Sequence, residues 1–202
     1  MGQGLSPRSE QKRQQIVQAA SELFMQQGYL TTSMDEIAQQ AGVSKQTVYA
    51  HFGSKDELFT YCVESKCVAA ELQLDTLKGR DMRNVLTEFL LHFVDMIYSP
   101  EAIYVYRLCV SAAETHPQLS QRYFEAGPDR VHHHLANYLQ QACIDGWIQL
   151  AEPEFAAEQL LLMARGLEHM RCELGLPCRE TPQQRRLRIE QVLDLFLQGA
   201  QG

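Results

Sequence analysis

The chain predicts an all-α protein: a small N-terminal three-helix domain followed by a larger helical domain. Three observations lead there. Apolar residues recur at three- and four-residue spacing in segment after segment. Helix start and stop signals (Ser, Thr or Asp caps, Pro at first turns, Gly at ends) punctuate those segments. No segment reads as an alternating strand. The length of 202 residues and a hydrophobic content of 45% suit folded domains with real cores.

Taken in order, Pro7 to Ser9 signals a start, and a helix is expected from about Ser9 to Gln27, buried through Ile16, Ala20, Leu23 and Phe24 and ended by Gly28. The next stretch, Ser33 to Lys55, organises the chain. Ser33 can N-cap a short helix, with Glu36 completing a capping box. Met34, Ile37, Ala38 and Ala41 then form an apolar face, and Gly42 ends the helix because the sharp turn needs a left-handed residue. Val43 plugs the turn and Ser44 caps a second helix, whose Val48 and Phe52 point inward. Lys45, Gln46, Thr47 and Tyr49 are left outward. Such a helix suits the major groove: Lys reaches guanine edges or phosphates, Gln can bond adenine bidentately, and hydroxyls bind phosphate oxygens. The pattern is that of a helix-turn-helix.

A second capping box, Ser54 with Glu57, opens a helix through Leu58, Phe59 and Cys62 that continues past Val68, and Gly79 breaks it. From Asp81 to about Tyr98, Val85, Leu86, Phe89, Leu90, Phe93 and Met96 repeat at helical spacing. Pro100 starts an apolar helix that reaches Ala113 before His116-Pro117. A short helix from Gln118 to Ala126 should stop at Gly127-Pro128, and another spans Asp129 to Asp145. Glu152-Pro153-Glu154 opens a long helix to Leu174. Thr181-Pro182 opens the last, to about Gln198.

The segment Ile16 to Lys55 resembles the DNA-binding domain of the TetR family of bacterial transcriptional regulators. The residues that carry the resemblance are Ile16 to Ala20, Leu23-Phe24, Gly28-Tyr29, Thr31 to Met34, Ile37-Ala38, Ala41 to Lys45, Val48 to Phe52, Ser54-Lys55 and Glu57 to Phe59. The domains expected are 8–55 for DNA binding and 56–202 for effector binding and dimerisation. The resemblance implies a DNA-binding regulator, most simply a ligand-responsive repressor that binds a palindromic operator as a homodimer. Thr32, Ser33, Ser44, Lys45, Gln46, Thr47, Tyr49, His51 and Lys55 are the expected DNA-contacting residues. Among these, Tyr49 and Lys55 are assigned to phosphates, and Lys45 and Gln46 to base edges. The partners implied are an operator duplex, an unidentified small-molecule effector and a second copy of the chain.

Two further sets of residues are candidates. Leu160, Met163, Leu167, Met170 and Leu174 recur at coiled-coil-like spacing beside Gly166, with Ile189, Val192, Leu193 and Phe196 as a companion stripe. Both stripes suit their own core equally well. The resemblance favours a dimer made of such a helix pair. Phe89, Phe93, Met96, Tyr104, Arg107 and Tyr123 combine aromatic surface with a few polar groups, as an effector pocket requires, with Arg107 as polar anchor.

Charge and cysteine content narrow the rest. The net charge is −7, and residues 1–60 hold five Lys/Arg against six Asp/Glu, so attraction to phosphate depends on the placement of Arg8, Lys12, Arg13, Lys45 and Lys55. The polar start lacks the apolar core of a signal peptide, and no apolar run is long enough to span a membrane. A cytoplasmic protein, nucleoid-associated when bound to DNA, is expected. Met1 to Ser6 fits a myristoylation pattern by chance in a polar arm. The six cysteines are scattered and read as reduced core thiols. Cys62 with Cys67, or Cys172 with Cys178, are the alternatives for a redox pair.

The rival functions are a helical interaction module that does not bind DNA and a metal-dependent enzyme using His132 to His134. Consecutive helical residues point about 100° apart, so three adjacent histidines cannot converge on one ion. No catalytic motif is present. Neither metal nor cofactor is expected.

Overall fold

The structure is a computed structural model that describes residues 6–76 and 81–199. The first five residues of the acylation pattern and the break assigned to Gly79 lie outside them. Among the described residues there are ten α-helices and no strand. They are α1 (Pro7–Gln27), α2 (Met34–Gln40), α3 (Lys45–Phe52), α4 (Lys55–Thr76), α5 (Met82–Ile97), α6 (Pro100–Ala112), α7 (Pro117–Phe124), α8 (Arg130–Ile144), α9 (Pro153–Glu173) and α10 (Pro182–Gly199). None is long and apolar enough to cross a membrane.

The chain forms two compact units. The first runs to Ser65 and takes in Arg107–Ala126. The second is Lys66–Tyr106 with the chain from Gly127 onward. This division differs from a single cut at 55/56, because α4 continues from one unit into the other and α7 belongs with the first.

In the first unit, Ile16, Ala20, Phe24, Ile37, Val48, Leu58 and Phe59 are buried. The rings of Phe24, Tyr29 and Phe59 meet edge-on or tilted at 5.1–6.1 Å, close to the preferred aromatic arrangement. The Tyr29 hydroxyl donates to Asp56, and Arg122 of α7 approaches the same carboxylate at 3.9 Å. Burial and that carboxylate push the Tyr29 hydroxyl upward. Arg13, assigned from sequence to phosphate attraction, lies over the Tyr61 ring at 4.2 Å and so braces α1 against α4.

In the second unit, Val85, Leu86, Phe89 and Leu90 of α5 join Leu135 and Leu139 of α8, Leu160 of α9, and Ile189, Leu193 and Phe196 of α10 in one core. Two sequence expectations change here. The stop assigned to Gly127-Pro128 is absent. The chain passes through a π-helical turn at Glu125–Asp129 directly into α8. A wider turn lets the missing Pro128 N–H go unused without ending the helix.

The second change concerns α9, which is broken at Gly166 (φ 67°, ψ 167°). The break resets the helical phase, so the five-residue seam read from sequence is not one face. Leu160 is fully buried in the core and Met163 packs against it, whereas Leu167, Met170 and Leu174 are exposed. The companion stripe is corrected as well. Ile189, Val192, Leu193 and Phe196 are all buried within this chain's own core. The large apolar residues exposed on α9 and α10 are Phe155, Leu162, Leu167, Met170, Leu187 and Leu195, with Leu174 at the C-cap of α9.

The break also frees carbonyls that a continuous helix would use. Arg188 of α10 donates to the Ala164 carbonyl, and the Tyr98 hydroxyl donates to the Arg165 carbonyl at 2.9 Å. Glu180 holds the Arg188 guanidinium at 2.6 and 3.0 Å.

Candidate nucleic-acid interface

The reader is built from α1 to α3 by caps and a tight turn. The Ser33 hydroxyl accepts from the Glu36 N–H, and the Glu36 carboxylate accepts from the Ser33 N–H at 2.8 Å, so both arms of the capping box are present. Met34, Ile37 and Ala38 are buried against the unit's core. Gly42 takes φ +65°, a conformation that costs a side-chain-bearing residue energy but not glycine. The turn closes as Val43 N–H donates to the Ala38 carbonyl at 3.0 Å. Ser44 then caps α3, accepting from Thr47 N–H at 3.1 Å. Each cap of this kind contributes about 1 kcal/mol, enough to hold helices too short to persist alone.

Val48 and Phe52 anchor α3 inward. Of the four residues expected outward, Lys45, Gln46 and Tyr49 are exposed, as is the capping Ser44. Thr47 and His51 are half-buried, with the Thr47 hydroxyl against that of Ser44 and the His51 ring beside Phe52. The Lys45 ammonium stands 2.7 Å from Asp35 on α2 and over the Tyr49 ring at 6.0 Å. Both partners of the Lys45–Asp35 pair are exposed, so the pair is weak and exchangeable for a phosphate or a base edge. Sequence reasoning missed two features of this surface. Asp35 restrains Lys45 from ten residues away. Ala50 is exposed one turn after Gln46, where its methyl group suits a thymine methyl. The i, i+4 spacing of Gln46 and Ala50 was a legible signal. The Asp35 contact was not, because it depends on the angle between two helices.

Two assigned residues are corrected. Thr32 is 1% exposed, and its hydroxyl donates to the Gly28 carbonyl at 2.7 Å. Lys55 is turned into the unit: its ammonium donates to the carbonyls of Tyr29 at 2.9 Å, Thr32 at 3.0 Å and Leu30 at 3.4 Å, and lies over the Tyr29 ring at 4.5 Å. Burial lowers its pKa. Lys55 therefore closes the α1–α2 loop, with its donors spent on backbone. Lys55→Met is expected to destabilise the reader by about 1–3 kcal/mol, the cost of leaving acceptors unpaired. Urea denaturation of the variant checks this. The salt slope of DNA binding should keep its parent value, since no phosphate contact is lost.

The candidate effector residues separate. Phe89 is fully buried in the second core, and Phe93 and Met96 pack against that core. Tyr104 is half-buried, and burial raises its hydroxyl pKa. Arg107 and Tyr123 belong to the first unit, and Arg107 is exposed rather than turned into an apolar interior. Among the described residues no cluster of three or more His, Cys, Asp or Glu is arranged to hold a metal ion. The His132 and His133 rings stand 5.5 Å apart, with His132 against the Glu154 carbonyl at 2.9 Å and His133 3.5 Å from Asp129.

A family model described as "Bacterial regulatory proteins, tetR family" matches residues 16–62, the capped reader just described. A second, described as "AefR-like transcriptional repressor, C-terminal domain", matches residues 84–199, more than half of the chain. The chain belongs to the TetR family of bacterial transcriptional regulators. It is 35% identical over 96 residues to the HTH-type transcriptional regulator AcrR of Shigella flexneri, a match covering 46% of this chain and 45% of that protein. Over 53 residues it is 55% identical to the HTH-type transcriptional activator FasR of Mycolicibacterium smegmatis, 26% of this chain and 24% of that one. The chain thus spans less than half the length of each of these two curated relatives. Solved structures align more fully. A crystal structure from Mesorhizobium loti assigned to the TetR family has a TM-score of 0.80 at 28% identity, covering 98% of this chain and 100% of that one. The flavonoid-responsive regulator FrrA has a TM-score of 0.74 at 30% identity, covering 95% and 98%. The residues matched by the tetR-family model, 16–62, include the whole of α2 and α3.

Proposed function

We propose that this TetR-family protein is a ligand-responsive repressor that binds a palindromic operator as a homodimer, with α3 of each protomer in the major groove. The observation that carries the reading is the division of α3. Val48 and Phe52 fix it from within, and Lys45, Gln46, Tyr49 and Ala50 are presented together outside. One helix this short reads too few bases to pick out a site in a genome, so function calls for two copies about one DNA turn, roughly 34–36 Å, apart. The bare leucines and Met170 on α9 and α10 support a second copy as the partner. Gln46→Ala is expected to cost about 1–3 kcal/mol at one base position per half-site and to relax preference there. Selection of bound fragments from random duplex DNA by parent and variant tests it, and identical preferences would remove Gln46 from base reading.

The effector is an apolar or aromatic small molecule acting through the aromatic residues of α5 and α6, Phe89, Phe93 and Tyr104. The likeness to a regulator named for its response to flavonoids supports this chemistry. A ligand that releases operator must bind the non-DNA-binding state more tightly, and linkage makes operator weaken the ligand by the same factor. Calorimetric titration of a flavonoid panel, with and without bound operator, is expected to give weaker ligand binding in the complex. Equal affinities would rule out the coupling.

A further inference from the structure

The loop between α9 and α10 holds two cysteines that the DNA-reading function leaves unexplained. Cys172 is half-buried on the last turn of α9 and Cys178 is exposed in the loop, both as free thiols. The two thiols lie close enough for Cys178 to act directly on Cys172. This proximity is built by the backbone on both sides of Cys178. Before it, Gly175 turns at φ +77°, with its N–H on the Cys172 carbonyl at 3.1 Å and Leu176 N–H on the Arg171 carbonyl at 3.0 Å. These bonds fold the chain back over the end of α9. After it, Arg179 N–H donates to the Glu168 carboxylate at 2.5 Å, one turn back along α9. Arg185 and Arg188 lie close enough to act electrostatically on this pair, as does Glu168.

We propose that Cys172 and Cys178 are a peroxide-sensing pair that closes into a reversible intramolecular disulfide. Cys178, exposed, attacks first. Its thiolate sulfur bonds to one oxygen of a hydroperoxide, the O–O bond breaks, and the other oxygen leaves with a proton as water or an alcohol. Cys178 is then a sulfenic acid. The Cys172 sulfur attacks the Cys178 sulfur, the S–S bond forms, the S–O bond breaks, and hydroxide leaves with the Cys172 proton as water. Two thiols lose two electrons and one hydroperoxide gains them. A dithiol reductant reverses the step by thiol–disulfide exchange. The order of attack follows from the environment. Burial, with the proximity of Cys178, pushes the Cys172 thiol up to about 11, so Cys172 waits as the resolving thiol until an electrophilic sulfur is in contact with it.

The sequence supplies a direct readout. Trypsin cuts after Arg171 and Arg179, so both cysteines fall in one peptide, residues 172–179. The full chain is treated with a few equivalents of hydrogen peroxide, alkylated with iodoacetamide, digested and weighed. The expected peptide is unalkylated and lighter by two hydrogens than the free dithiol, and dithiothreitol treatment before alkylation returns it to the doubly alkylated form. In Cys172→Ser, dimedone is expected to trap a sulfenic acid on Cys178. In Cys178→Ser, Cys172 is expected to remain alkylatable at the same dose. The proposal is overturned if the peptide stays doubly alkylated, if either cysteine links to a different cysteine or to another chain, or if Cys178 passes directly to sulfinic acid. None of these readouts needs operator DNA, so failure here leaves the reading of α3 untouched.

Discussion

Replacing Leu167 with glutamate is expected to leave the fold intact, convert the proposed dimer to a monomer and abolish operator binding. Leu167 is 77% exposed, and Met170 and Leu174 follow it at three- and four-residue spacing along the second segment of α9, also exposed. The substitution thus removes nothing from the protomer's core. In a dimer these side chains would leave water at about 25 cal/mol per Å² of apolar area. A carboxylate in the same place would lose its hydration with no partner to replace it. Light scattering should report the protomer mass, circular dichroism the parent helix content, and gel shift no retarded complex. The contrast is Leu193→Ala. Leu193 is fully buried in the protomer, so its truncation should cost about 2–5 kcal/mol of stability while the variant remains a dimer. A dimeric Leu167→Glu protein would place the contact elsewhere.

The difference between those two leucines marks how far the sequence could be read. The caps and the turn of the reader were legible because they are local: Ser33 with Glu36, Gly42, and Ser44 with Thr47 each act within a few residues. The inward pair Val48 and Phe52 followed from helical spacing alone. Lys55 misleads because its partners, the carbonyls of Tyr29, Leu30 and Thr32, lie more than twenty residues away and look like any other backbone in a sequence. A cation next to a helix-turn-helix suits phosphate and suits a loop carbonyl equally well. The α9 seam fails for a different reason. Periodicity assumes one continuous helix, and a single glycine whose conformation cannot be read from its neighbours changes the face on which every later residue sits. The sequence marks Gly166 as a place for close approach. What approaches is a guanidinium from α10 rather than a second backbone.

Arg188→Met is expected to be among the most destabilising single changes in the second unit, at about 3 kcal/mol, which for a chain this size lowers Tm by about 6–12 °C. The Ala164 carbonyl would lose its donor, and the Glu180 carboxylate would be left with the longer Arg185 contact, at 3.5 Å. Glu180 is held ionised because its bonds with Arg188 and Arg185 outweigh its burial, so its pKa lies below the usual carboxylate value. Methionine fills the space of the Arg stem but supplies none of those donors. Gly166→Ala should also destabilise, by about 1–3 kcal/mol, because φ 67° with ψ 167° is a region that side-chain-bearing residues avoid. The new Cβ would in addition stand 2.9 Å from Arg188 Nη1. The two changes therefore share a cause and should not add. In the Arg188→Met background the guanidinium is gone, and part of the penalty of Gly166→Ala disappears with it, giving a coupling of about 0.5 kcal/mol or more. Thermal and urea unfolding of the parent, both single variants and the double variant measure it. Strict additivity would mean that Arg188 does not cover the break. Because the break sets the face that carries Leu167, Met170 and Leu174, Gly166→Ala is also expected to loosen the dimer at concentrations where Arg107→Ala, remote in sequence and exposed, leaves it unchanged.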